Sequence, residues 1–175
     1  MTQTVAIAPL GNRSYSAGGT LAAAAAATDV FTITGADGFL CTPVRLIISG
    51  IATAATAASV LVVKRTTANS AGTASTITGV VRDSQTTESA KATVRSYTAN
   101  PTTGTATAPT GGNIAAVVVP LGVAAGGTNP MVIDLVANGM QPIALRSSAD
   151  VLAVNLNGAT IAGGSITVTV EWMES

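Results

Sequence analysis

The side chains able to do chemistry are few. Eight carboxylates (Asp29, Asp37, Asp83, Glu88, Asp134, Asp150, Glu171 and Glu174), eight cations and one thiol, Cys41, are spread over 175 residues, and there is no histidine. Two carboxylates on either side of a glycosidic bond can run acid–base hydrolysis. No spacing among these eight singles out such a pair, and solvated strand faces and turn caps account for them equally well. Asp37 stands before Gly38 and fits a turn. A thiol nucleophile needs an activating base, and without histidine Cys41 reads as a small buried strand hydrophobe. Being the sole cysteine, it forms no intrachain disulfide. Zinc-type Cys/His spacing, the GxSxG elbow, the GxxxxGK[ST] loop and the GxGxxG fingerprint are all missing. The expectation is therefore a non-enzyme: no catalytic, cofactor-binding or metal residue is assigned. Lys64, Arg65, Arg82 and Arg95 form a phosphate-type basic patch if the strands of the 60s and 90s pair. Otherwise they are ordinary surface charges answered by Asp83 and Glu88. The aromatics Tyr15, Phe31, Phe39, Tyr97 and Trp172 do not interleave with these cations, so base stacking lacks a platform. Their scarcity also argues against a sugar site.

The elements that carry these residues follow from composition and rhythm. Charged residues make up 9% of the chain and the net charge is zero, against roughly 25% charged in an average domain. That excludes a solvating disordered tail and a phosphate-neutralising nucleic-acid binder. A length of 175 residues fits one domain. Much of the apolar fraction is alanine and valine, so each buried position contributes little at about 25 cal/mol per Å². A neutral surface is also poorly suited to life as a free monomer. Both points favour subunit association.

Period-two alternation is the strongest pattern, because successive side chains leave a strand on opposite faces. In 165–173 (SITVTVEWM), Ile166, Val168, Val170 and Trp172 oppose Thr167, Thr169 and Glu171. The same rhythm marks strands at 29–34, 44–49, 91–98, 131–136, 143–146 and 152–157. A β-branched run occupies 59–65, and 114–119 reads as a short buried strand. Residues 46–63 are uncharged and near the length of a membrane helix. Their Ser, Gly, Ala and Thr centre reads better as a turn between two strands, and no membrane contact is expected. Turn chemistry separates the runs: Asn138-Gly139 as a hairpin, Asn157-Gly158 opening the last reversal towards Ser165, Gly35–Gly38, and the stretches 110–113 and 124–130. Residues 21–27 (LAAAAAA) are an extended lead-in, with a short helix as the alternative. Residues 1–20 read as a polar arm, loose unless a partner pins it. The sequon Asn12-Arg13-Ser14 carries no weight, since the N-terminus has no leader-like apolar run. The expected fold is all-β: an antiparallel β-sandwich, jelly-roll-like, with an arm and lead-in over 1–27 and one domain over 28–175.

Three segments carry a resemblance. TDVFTITG (28–35), KRTTANSAGT (64–73) and RSYTANPTT (95–103), in this order, resemble a family of small bacteriophage and prophage virion proteins with the pattern DVFTITG … KRSTANTGGT … VRAYTANP. The stretches 141–147 (QPIALRS) and 167–173 are similar to the family's ending. The family often has histidine before the Asp-Ser that follows the first TAN. Here Arg82 precedes Asp83-Ser84, a departure that weakens a shared metal site and leaves the fold reading untouched. The resemblance implies a structural role in the virion, with assembly in the host cytoplasm. A capsid decoration or cement protein comes first, a homo-oligomer with the trimer favoured, seated on the major capsid protein. The alternatives are a tail or head–tail accessory protein, or a jelly-roll receptor- or glycan-binding module. No nucleic acid and no cofactor are expected as partners.

Overall fold

The computed structural model describes residues 13–84, 87–106, 112–123, 129–136 and 141–175. Eleven strands account for most of them: β1 (Arg13–Leu21), β2 (Ala27–Thr34), β3 (Cys41–Ala52), β4 (Thr56–Arg65), β5 (Thr73–Ile77), β6 (Val80–Val81), β7 (Thr93–Ala99), β8 (Asn113–Val123), β9 (Met131–Asp134), β10 (Val151–Ala159) and β11 (Ser165–Glu174). No helix occurs among the described residues, so the all-β expectation holds. Hydrogen bonds join the strands in the order β5-β7-β2-β10-β4-β8-β3-β11-β1-β6, with β9 added on β3. The sheet curls until β1 lies against β5 and β7 near its other end.

Almost every pairing is antiparallel; β3 and β8 run parallel where Ile51–Ala52 meet Gly122–Val123. The departure has a simple cause. β3 and β4 run in opposite directions, and β8 is inserted between them. A strand placed there and antiparallel to β4 must be parallel to β3. The uncharged stretch 46–63 is indeed two strands with a small-residue turn at 53–55, although the two do not pair with each other.

The alternation in β11 is realised: Ile166, Val168, Val170 and Trp172 are all buried. They join Leu46 and Ile48 of β3, Tyr15 of β1, Phe31 and Ile33 of β2, Val60 of β4 and Leu152 of β10 in one core cluster. Several expectations need correction. The arm expected over 1–20 is, from residue 13 onward, strand β1. It pairs with β11 along its whole length, from Arg13↔Glu174 to Leu21↔Ile166. Its small residues Ala17, Gly18 and Gly19 allow close packing, since a Cβ on Gly18 would meet Thr169 Oγ1 at 2.5 Å. The sheet therefore already includes Arg13–Leu21, ahead of residue 28, and residues 1–12 lie outside the described residues. The lead-in 21–27 is not one strand. Leu21 ends β1, Ala27 opens β2, and a turn with Ala26 at φ 48° lies between. β2 is buried on both faces rather than one: Val30 and Thr32 are as covered as Phe31 and Ile33. Residues 143–146 form only a single bridge, Leu145↔Cys41. Asn157-Gly158, with φ of 52° and 76°, is an irregularity inside β10, where the β2 register shifts. The reversal itself follows at 160–164, with Gly163 at φ 58°. Gly35–Gly38 does turn the chain, and Phe39 N–H donates to Ala36 O at 3.2 Å. Asn138-Gly139, residues 110–111 and residues 124–128 of the other two turn stretches lie outside the described residues.

Candidate functional site

The three segments that carry the resemblance meet in space. Asp29, early in β2, is fully buried, and Arg65 at the end of β4 is nearly so. Arg65 Nε and Nη2 donate to the two carboxylate oxygens of Asp29, each at 2.7 Å. Asn69 Nδ2 adds a bond at 2.8 Å and Asn155 Nδ2 of β10 another at 2.6 Å. Four donors on two oxygens nearly fill the acceptor capacity of a carboxylate. The third guanidinium nitrogen, Nη1, donates to Gly104 O at 2.8 Å, and Gly104 N–H donates to Asn69 Oδ1 at 2.9 Å. Gly104 must be glycine, since a Cβ there would overlap the Thr67 carbonyl oxygen.

The two TAN tripeptides have matching duties. Asn69 ties its loop to Asp29. Asn100 Oδ1 accepts from Thr28 N–H at 3.1 Å, and its Nδ2 donates to the carbonyls of Ala25 and Ala26, each at 3.2 Å. Ser70 and Thr102 exchange backbone bonds at 3.0 and 2.7 Å, and Thr66 N–H donates to Thr105 O at 2.8 Å. The motif residues thus clamp loops 66–72 and 100–106 onto β2, β4 and β10. The guanidinium and carboxylate are consumed by each other, so this cluster positions backbone and presents no free reactive group.

The remaining charges are dispersed. The expected basic patch does not form, because β10 and β2 separate β4 from β7. Arg82 pairs with Glu171 at 2.7 Å, Lys64 stands 3.9 Å from Asp150, and Arg95 is exposed on β7. The alternative, pairing with Asp83 and Glu88, needs correction for Glu88. That carboxylate pairs with Arg13 at 2.7 Å, because β1 runs beside the segment that carries it. Asp134 takes Arg45 at 2.9 Å. Asp37 is the expected turn residue, and it accepts from Ser148 N–H at 2.8 Å. Asp150 accepts from Arg146 N–H at 3.0 Å. Exposed pairs of this kind add little to stability.

A second buried acid, Glu174, has no cationic partner among the described residues. Its oxygens accept from Lys91 N–H at 2.9 Å, Ala92 N–H at 2.9 Å and Trp172 Nε1–H at 2.8 Å. Trp172 stacks on Tyr15 with ring centroids 5.6 Å apart. Cys41 lies buried beside this group, as the sequence suggested. Burial first, and the Glu174 charge second, push the Cys41 thiol well above its ordinary range. Native Cys41 should therefore react with a disulfide reagent about 100-fold or more slower than in urea, since labelling requires opening. Equal rates in a stopped-flow assay would contradict this placement. Tyr15 is raised too, by burial, then by Glu174, with Glu88 adding and Arg13 opposing. Both groups hold their protons more tightly folded than unfolded. Their contribution to stability is full below the unfolded values of about 8.5 and 10, and is lost as pH rises through the folded ones. The urea midpoint should fall between about pH 8.5 and 11; a flat midpoint would exclude the effect.

A shallow groove of about 420 Å³ is lined by Lys64, Ile114, Gln141, Ile143, Arg146 and Asp150. It is open to solvent, and its Lys64 and Asp150 already face each other. More distinctive is β8. Expected as a buried strand, it is buried on one face only: Val119 and Leu121 are covered, but Ile114 is 42% and Val118 63% exposed. No group of three or more metal-ligating side chains occurs among the described residues. No family model, no curated protein and no solved structure matches this chain.

Proposed function

We propose that this chain is a non-enzymatic structural protein of a bacteriophage particle, with capsid decoration or cement as its role. On this reading it folds as a jelly-roll-like β-sandwich, assembles in the host cytoplasm and acts as a homo-oligomer, the trimer favoured. It stabilises the shell by contact area against the major capsid protein. The observation that carries the proposal is the outward side of β4 and β8. Ala57, Ser59 and Leu61 stand beside Pro120, Val118 and Ala116 in register, and this stretch carries no charge. A neutral, methyl-rich surface of this kind suits coverage by neighbours better than permanent hydration. The motif residues support the same view, because they are spent on holding loops. The aromatics Tyr15, Phe31, Tyr97 and Trp172 are core residues, which leaves little for a glycan platform.

The test is copy number per purified particle by quantitative mass spectrometry. Decoration of a shell requires copies on the order of hundreds. About a dozen or fewer would move the protein to the tail or head–tail region, in keeping with ring symmetry there. Absence from washed particles would remove the virion role.

A further inference from the structure

We propose that the open edge of β8 is a strand-pairing interface with a second copy of this chain. Ala116–Val118 of one copy would run antiparallel to Val118–Ala116 of the other, about a two-fold axis through Val117. The inference rests on the assembly reading above and specifies its contact.

The first ground is an unfilled ladder. β8 bonds β4 from Asn113 to Leu121 and meets β3 only at Gly122–Val123. Between Asn113 and Pro120, no described residue pairs with its other side. The second ground is Pro120, which lies opposite Ala57 without interrupting that ladder. Proline has no N–H, and a strand accommodates it where the N–H would point off the ladder. Alternation then turns the N–H and C=O groups of Val118 and Ala116 outward, away from β4. The two-residue spacing does not carry through Ile114, because the register shifts there.

The third ground is that protection is confined to the two ends of the run. Exposed edges are commonly blunted with lysine, inward charges or very short strands. β8 is eleven residues long, reads NIAAVVVPLGV and carries no charge. Among the described residues, Val80, Ile114, Val118, Val123 and Val132 are the exposed large hydrophobics, and three of them lie on β8. Its protection is Pro120 at one end of the run and the irregularity at Ile114 at the other.

The fourth ground selects the partner. Under a two-fold axis the edge meets itself, so each contact occurs twice. An axis at Val117 sets small Ala116 against larger Val118 on both sides, with a reciprocal pair of main-chain bonds at each. β4 continues the surface with uncharged Ala57, Ser59 and Leu61, so two copies meet without charge repulsion. An edge with no charge offers nothing to select an acidic or basic partner. The contact is short. It buries less than the roughly 1,600 Å² of a standard interface, so it is weak alone and gains strength by repetition in an array. It makes pairs, and a trimer needs a separate head-to-tail contact; a shell can use both.

The experiment is sedimentation equilibrium on the full chain up to about 100 µM, a range that detects micromolar association. The wild type is compared with Val118→Lys and Val118→Pro. Both changes fall at an exposed position whose N–H faces outward, and folding is checked by Trp172 emission. Self-association of the wild type, weakened about tenfold or more in both variants, is expected. A separate arm uses Val117→Cys. Across the axis, Val117 faces its own copy in a non-hydrogen-bonded pair, with Cβ atoms about 4.5–5.5 Å apart. Mild oxidation should give a covalent dimer, while Ser59→Cys, one strand further in, should not. The buried Cys41 makes the wild type a clean blank. A monomeric wild type overturns the interface, as does failure of Val117→Cys to cross-link. Association unchanged by both Val118 variants overturns this edge and leaves the assembly reading standing. A monomer that is also absent from particles removes both.

Discussion

Asp29→Ala is expected to lower the unfolding free energy by about 3–5 kcal/mol, the usual result of removing one partner from a buried ion pair. The loss exceeds the worth of the pair itself. Arg65 would keep its charge inside the protein with one remaining acceptor, the Gly104 carbonyl. The amides of Asn69 and Asn155 would each lose their bond to the carboxylate. Domains of this size have about 5–15 kcal/mol in total, so the variant would be marginal. Its thermal midpoint should fall by about 10–15 °C. Asp29→Asn keeps the shape and removes the charge, and should recover only a minor part. The informative control is the double change Asp29→Leu with Arg65→Met. Removing both charges leaves no uncompensated ion, so the double variant should be more stable than Asp29→Ala. Urea unfolding of the set measures this. If Asp29→Ala cost under about 1 kcal/mol, as at an exposed pair, the cluster would not be the clamp described.

Trp172→Ala is the second large effect, with an expected loss of about 3–5 kcal/mol for truncating a fully buried aromatic. The indole touches three kinds of neighbour. It stacks on Tyr15, it donates to Glu174, and it fills the space beside Gly79, where a Cβ would meet its ring at 2.8 Å. Trp172→Phe restores most of the apolar volume but not the N–H, so it should cost clearly less, about 1–2 kcal/mol. Glu174→Gln isolates the other half of the contact. It should loosen 87–92 while leaving the ring stack in place, which hydrogen exchange at the Lys91 and Ala92 amides would report. As the sole tryptophan, Trp172 also provides the readout. Its emission should be blue-shifted in the native state and shift red on unfolding.

Much of the strand inventory was legible, because a strand with one wet face alternates. 165–173 became β11, 44–49 lies within β3, and 152–157 lies within β10. Alternation fails where both faces are covered, as in β2, and where small residues carry no contrast. That is why Arg13–Leu21, reading RSYSAGGTL, passed for an arm although it pairs fully with β11. β5 and β6 were missed for a related reason. They are short, β5 is largely exposed, and each lies at an end of the sheet, paired with one strand that is not its neighbour in the chain. Exposure on β8 was equally hidden. An apolar run states that a segment can be buried, not which strand arrives to cover it.

Local chemistry by itself determined that the fold of the described residues is all-β, where several strands lie, that Cys41 is buried and that Asp37 serves a turn. These depend on residues a few positions apart. Tertiary structure alone decided that Asp29 meets Arg65 across 36 positions, that Glu174 caps the amides of 91 and 92, and that β8 is left with an open side. Such features depend on strand order, and strand order is set by contacts between segments far apart in the chain, which no local rhythm records.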